Sequence, residues 1–132
     1  MTPFTWPARV YWEDTDGGGI VYHANYLRFL ERARTEWLRA LGVSQGTLAG
    51  EAGVLFTVVS LSVAFRRPAR LDDALEVSCE PERAGRASLR FRQCIRRGEE
   101  MLLEAEVRVA CIDAQSLRPR GLPQFLLAAL PA

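Results

Sequence analysis

The hydropathy pattern predicts an α+β chain, a five-stranded antiparallel sheet wrapped around one long central helix, and three observations carry that prediction. Leu27, Leu30, Ala33, Trp37 and Leu41 recur at steps of three and four, the mark of an amphipathic helix. From Val54 onward the period drops to two and holds through four runs separated by turn residues. Each run has one apolar face that needs a cover, and this helix is the only element long enough to provide it.

Taken in order, residues 1–8 read as a loose arm, because Pro3 and Pro7 resist regular structure. Arg9–Trp12 reads as a short strand, ending at the acidic turn Glu13-Asp14-Thr15-Asp16. Gly17, Gly18 and Gly19 loosen the backbone, and past Ile20-Val21-Tyr22-His23 a helix of about 18 residues begins, roughly 27 Å long. Asn25 suits its N-cap, and Gly42 suits a stop after Leu41. Ser44–Gly53 reads as a connection with one helical turn. In the next strand Val59, Leu61, Val63 and Phe65 line one face against Val58, Ser60, Ser62 and Ala64 on the other; Pro68 ends it and Leu71-Asp72-Asp73 turns the chain. Leu75, Val77 and Cys79 alternate with Glu76, Ser78 and Glu80 as far as Pro81. Leu89, Phe91, Gln93 and Ile95 alternate with Arg90, Arg92 and Cys94, and Arg97–Glu100 makes a hairpin. Leu103, Ala105, Val107, Val109 and Cys111 line the last strand, and Phe125–Leu130 closes the chain as a helical turn.

Composition narrows the function. With 132 residues the chain is expected to be one domain, residues 1–132. An apolar content of 48% with 25% charged residues is that of an ordinary globular protein. A net charge of +1 argues against non-specific nucleic-acid binding. All 17 basic residues are arginine, so no arginine can be singled out for not being lysine. The N-terminus lacks an apolar leader core, and no run approaches the roughly 18 residues of a bilayer span. The chain is therefore expected in the cytosol, without membrane insertion. Cys79, Cys94 and Cys111 lack C-x-x-C spacing; the first and last fall within apolar alternation and read as small buried side chains. With His23 the single histidine, no metal site is expected.

Chemistry concentrates where an acidic turn is delivered across a glycine hinge to a helix start. The first turn of a helix has unpaired N–H groups and a partial positive charge, which suit a developing oxyanion. Glycines let main chain approach a substrate closely. A carboxylate beside such a site can act as general base towards water, or as nucleophile on an activated acyl carbon. Asp16 could fill that role, although from the residues alone a turn or capping acid is the plainer reading. Asp14 reads as a turn acid or a group behind the reacting one, and Glu13 as surface. Glu31 could be a catalytic acid on the helix, but an ion pair with Arg34 or Arg28 at helical spacing is the simpler reading.

The stretch EDTDGGGIVYHANYLRFLERAR resembles the signature of the hot-dog acyl-CoA thioesterases of the 4-hydroxybenzoyl-CoA thioesterase class. It is most similar to the YbgC-type enzymes associated with the Tol-Pal envelope system. The likeness continues through FRRPARLDDALEV, AGRASLRF, LLEAEVRVACID and LRPRGLP, from Trp6 to Pro123. This resemblance implies a hot-dog fold, with Asp16 as catalytic carboxylate and the backbone N–H at His23 polarising the thioester carbonyl. The His23 ring is left as a possible proton donor to the leaving thiol, since an imidazole suits acid–base work. Gly19, Tyr22, Asn25 and Tyr26 flank the substrate. Coenzyme A, as part of the substrate, calls for phosphate donors, and Arg86 and Ser88 match the region where a similar thioesterase recruits them. Gly85 and Ala87 stand where that relative has further basic residues. Arg66, Arg67 and Arg70 read as a solvated surface. The family implies dimers joined sheet edge to sheet edge, often paired into tetramers, with sites between subunits.

The expected activity is hydrolysis of a short-chain aliphatic or aromatic acyl-CoA to free acid and CoA, with no cofactor. The absence of a G-x-S-x-G elbow argues against a serine thioesterase. Two rivals remain. A hot-dog hydratase would use Asp16 with His23, although their seven-residue separation does not match the hydratase pattern. A binding module would hold an acyl thioester or acyl carrier protein without turnover.

Overall fold

Strict alternation in the second half of the chain folds into the middle of one sheet. The computed structural model describes residues 3–131. Strands β1 (Phe4–Arg9), β2 (Val54–Phe65), β3 (Ala74–Gly85), β4 (Ser88–Arg97) and β5 (Glu100–Asp113) pair antiparallel in the order β1-β3-β4-β5-β2. Across β4 and β5, Leu89, Phe91, Gln93 and Ile95 stand opposite Val109, Val107, Ala105 and Leu103. All eight are buried on one face. Helix α1 (Tyr26–Ala40) lies on that face with Phe29, Leu30, Ala33, Trp37 and Leu38 turned into the core. The short helix α2 (Gln124–Ala129) adds Leu126, which is fully buried.

The one polar side chain in the middle of this face is used almost completely. Gln93 Nε2 donates to the carbonyls of Leu30 (3.0 Å) and Ser78 (3.2 Å), and its Oε1 accepts from Arg34 Nη1 (3.0 Å). It therefore ties α1 to β3 and β4 at a depth where an unanswered amide would be costly. Beside it Trp37 meets Phe91 edge to face at 5.5 Å.

Several expectations need correction. The first strand is Phe4–Arg9, not Arg9–Trp12; Trp12–Asp14 is a 3₁₀ turn. Pro7 is tolerated because β1 is an edge strand, paired to β3 on one side only. Pro81 likewise does not stop β3, since the described pairing with β1 ends at Phe4 opposite Cys79. The helical run begins as a 3₁₀ turn, His23–Asn25, before α1 proper. Asn25 is not a side-chain cap: its backbone is helical and its amide is used elsewhere. Gly42 does end the helix region, at φ +88, with its N–H on the Arg39 carbonyl at 2.9 Å.

β2 departs most from expectation. A register shift between Val58 and Ser60 interrupts the alternation, so Val59 is not the start of a continuous inner face. Leu61 and Phe65 do share the inner side with their β5 partners Val107 and Leu103. Even so, Val58, Val59, Leu61 and Phe65 are 43–54% exposed. The helix covers the centre of the sheet and leaves this edge bare. No helix among the described residues is long and apolar enough to cross a membrane.

Candidate active site

Beyond the Trp12–Asp14 turn the chain doubles back on itself. Tyr22 N donates to the Asp14 carbonyl at 3.0 Å, Thr15 bridges Val21, and Asp16 N donates to the Ile20 carbonyl at 3.0 Å. Gly17-Gly18-Gly19 form the tip of this narrow loop. Gly17 and Gly19 sit at φ +89 and +86, conformations an L side chain resists. At the tip the Asp16 carboxylate accepts the Gly18 N–H at 2.8 Å. The loop therefore leads straight into the first helical turn, His23–Asn25, placing Asp16 on the loop adjoining that turn.

Asp14 is the knot behind this arrangement. It is 6% exposed; its Oδ2 accepts from Tyr11 N at 2.8 Å and its Oδ1 from Asn25 Nδ2 at 2.9 Å. It thus joins the exit of β1 to the start of the helix. Asp16, Gly19, Tyr22 and His23 lie on the outer side, all exposed. The Tyr22 and His23 rings are 4.6 Å apart between centroids. Among the described residues no acceptor meets the His23 N–H, which points out of a first turn as an unpaired donor does.

The expected substrate-flanking residues divide in two. Gly19 and Tyr22 stand at the surface with Asp16. Asn25 and Tyr26 are buried, and the Asn25 Nδ2 and the Tyr26 hydroxyl are already engaged. The Tyr26 hydroxyl accepts Ala69 N–H at 2.9 Å, and burial raises its pKa above the usual phenol range despite that bond. Glu31 takes neither expected arginine; its carboxylate accepts from Thr35 Oγ1 at 2.8 Å, because Arg34 turns inward to Gln93. Arg66 and Arg67 form exposed pairs with Glu104 and Glu100.

Arg86 and Ser88 lie at the β3–β4 turn, where the Arg86 carbonyl accepts Leu122 N and Ser88 Oγ accepts Arg108 Nη2. The Asp16 loop adjoins the other end of β3, through the Ile20–Arg70 bridge. The 12 residues of β3 separate them, a span of about 40 Å at 3.3 Å per residue. One chain does not bring the two groups together.

Sequence reasoning did not single out the segment that backs the loop. Val21 N donates to the Ala69 carbonyl at 2.9 Å and Leu71 N to the Gly19 carbonyl at 3.1 Å. The sequence shows it as the Leu71-Asp72-Asp73 turn within the FRRPARLDDALEV likeness, and nothing local ties that turn to residues fifty positions earlier.

Comparison with known proteins fits this geometry. A model of the thioesterase superfamily matches residues 18–104, which run from Gly18 at the tip of the glycine loop through the helix and β2 to β4 into β5. The chain belongs to that superfamily, and its sheet and helix have the hot-dog fold of the superfamily's solved members. Over 128 residues it is 50% identical to the acyl-CoA thioester hydrolase YbgC of Escherichia coli O157:H7, covering 96% of this chain and 95% of that protein. It superposes with a TM-score of 0.87 on a probable thioesterase from Bartonella henselae, at 40% identity, covering 92% of this chain and 100% of the other. A 1,4-dihydroxy-2-naphthoyl-CoA thioesterase from Synechocystis gives 0.90 at 27% identity, covering 98% and 96%.

Proposed function

We propose that this protein hydrolyses an acyl-CoA thioester to a free carboxylic acid and coenzyme A, with Asp16 as the reacting carboxylate. The observation that carries the reading is the tight loop that holds Asp16 beside a helix start whose His23 N–H meets no acceptor among the described residues. The carbonyl oxygen of the thioester sits against that N–H, where the positive end of the helix stabilises the oxyanion. In one route Asp16 takes a proton from water as the water oxygen bonds to the acyl carbon. The tetrahedral intermediate then expels the CoA thiolate, and the proton returns to sulfur. In the other, Asp16 itself bonds to the acyl carbon, CoA leaves, and water hydrolyses the mixed anhydride. The His23 ring stands at the same surface as a proton donor to the departing thiolate.

The exposed side of the site and the bare edge of β2 support pairing of two or four copies, with the substrate held between them. Such an assembly also gives Arg86 and Ser88 of a second copy a way to reach the CoA phosphates. Both short aliphatic and aromatic acyl groups are candidates. The aromatic class draws support from a Nostoc punctiforme 1,4-dihydroxy-2-naphthoyl-CoA hydrolase, 32% identical over 124 residues.

A thiol-release assay across acyl-CoAs of graded chain length, with aromatic thioesters included, tests the reading. Turnover of at least one class is expected. Tight binding of every thioester without release of CoA would replace the enzyme with a binding module, and water addition to an enoyl-CoA would replace it with a hydratase.

A further inference from the structure

The loop carrying Asp16 is not held by its own contacts alone. Two glycines at positive φ leave its backbone free to adopt several paths. Internally it has the Asp16 N–Ile20 carbonyl bond and the Gly18 N–Asp16 carboxylate bond. Its outer ties run to the segment from Pro68 to Asp73, through Ala69, Arg70 and Leu71.

That segment is tied to the end of β1 by Val10 N on the Asp73 carbonyl (3.0 Å), Asp72 N on the Val10 carbonyl (2.9 Å) and Arg9 Nη1 on the Asp72 carbonyl (2.7 Å). Its two ends are joined to each other by one ion pair. Asp73 Oδ2 accepts from Arg70 N at 2.8 Å and from Arg97 Nη1 at 2.7 Å. The same Arg97 nitrogen lies 3.3 Å from the Pro68 carbonyl, so one guanidinium grips both ends of the segment. Between them Asp72 is held at φ +71, a left-handed conformation that a non-glycine residue keeps only when its surroundings impose it. Tyr26, the first residue of α1, fastens Ala69 from the other side. Burial alone would raise the Asp73 carboxyl, but the Arg70 N–H and the Arg97 guanidinium outweigh it and hold it below the usual carboxylate range. It therefore stays ionised and paired at neutral pH.

We propose that Asp73, gripped by Arg97, is a positioning residue for Asp16: it fixes the turn that clamps Gly19 and Val21 and so sets where the Asp16 carboxylate stands. The inference rests on the reading of Asp16 as the reacting group. Because near-attack geometry is sensitive to shifts of about 1 Å, loosening the clamp should reduce turnover more than binding.

The test compares Asp73→Asn, Arg97→Gln and Arg97→Lys with Glu100→Gln, which removes the other carboxylate on Arg97 without touching the segment. Steady-state thiol release and amide hydrogen exchange are read on each folded variant. Asp73→Asn and Arg97→Gln are expected to lower kcat about tenfold or more with KM within about twofold, the signature of a lost transition-state arrangement. Arg97→Lys should recover part of the loss, and Glu100→Gln should stay near the parent. Exchange at the Val21 and Leu71 amides should quicken in Asp73→Asn. The double variant Asp16→Asn/Asp73→Asn should be no slower than Asp16→Asn alone, because the second change acts through the first. A folded Asp73→Asn with parental kcat, or losses that multiply in the double variant, would overturn the inference. Should Asp73→Asn not fold, Arg97→Gln decides the matter by the same two readouts. If Asp16→Asn loses turnover while folded Asp73→Asn keeps the parental kcat, the positioning role alone fails; full activity in Asp16→Asn removes the underlying reading, and this inference with it.

Discussion

Asp14 and Asp16 stand two residues apart with the same functional group, and the fold puts them to different uses. Asp14 answers two donors in a buried setting, whereas Asp16 answers one, Gly18 N–H, at the surface. Asp14→Ala should therefore cost about 2–4 kcal/mol in urea unfolding, since it strands the Tyr11 N–H and the Asn25 amide. Asp16→Ala should cost about 1 kcal/mol or less by the same measurement. Stability and activity thus separate across a two-residue interval. The acidic turn was visible in the sequence, but which acid faces outward was not, because a D-x-D pair has no hydropathy phase; the resemblance singled out Asp16. The cysteines make a second prediction at this scale. Burial pushes the Cys79 thiol up to about 12 and raises Cys111 as well, so thiolate is scarce at both. An alkylating reagent at pH 8 should label at most Cys94 in the native protein and all three after denaturation, read by intact mass.

At the scale of elements, the parts read correctly were those whose pattern is repeated and local. β4, β5, the part of β3 before Pro81 and the body of α1 follow their apolar periods, and Gly42 ends the helix region as its lack of a side chain allows. The misread parts depend on neighbours remote in sequence. Pro7 is compatible with a strand only because β1 is an edge, and the inner face of β2 slips at a bulge between Val58 and Ser60. Glu31 was assigned an arginine that the buried Gln93, 59 residues from Arg34, had already taken. The glycine loop permits a sharper prediction. A Cβ at Gly19 would meet nothing within 4 Å, so Gly19→Ala carries a backbone cost alone, about 1 kcal/mol. The clamp behind that loop sets a pH dependence. The folded pKa of Asp73 lies below its unfolded value, so the stabilisation is fully present above the usual carboxylate pKa and is lost as pH falls through the lowered one. Acid unfolding of Asp73→Asn should accordingly show less loss of stability below about pH 4 than the parent, followed by circular dichroism.

For the whole molecule, the sheet is covered at its centre and uncovered along one edge. A bare edge strand with apolar side chains invites a partner strand, and Val59 and Phe65 are 54% and 53% exposed there. Val59→Lys is expected to shift the protein toward monomer in light scattering after size exclusion, with a parallel loss of turnover if the substrate lies between copies. None of this could be read from alternation, because a strand that faces a second copy has the same pattern as one that faces its own core. The separation of Arg86 and Ser88 from Asp16 along β3 belongs to the same problem: the residues were visible, and their distance in one chain was not.

Asp16 is the centre of the proposed chemistry, and the most direct measurement is steady-state CoA release by Asp16→Asn on the best acyl-CoA of the panel, with circular dichroism confirming an intact fold. A loss of about 10²–10⁴-fold in kcat is predicted, the range for removing a general base. Turnover within a few fold of the parent would contradict it.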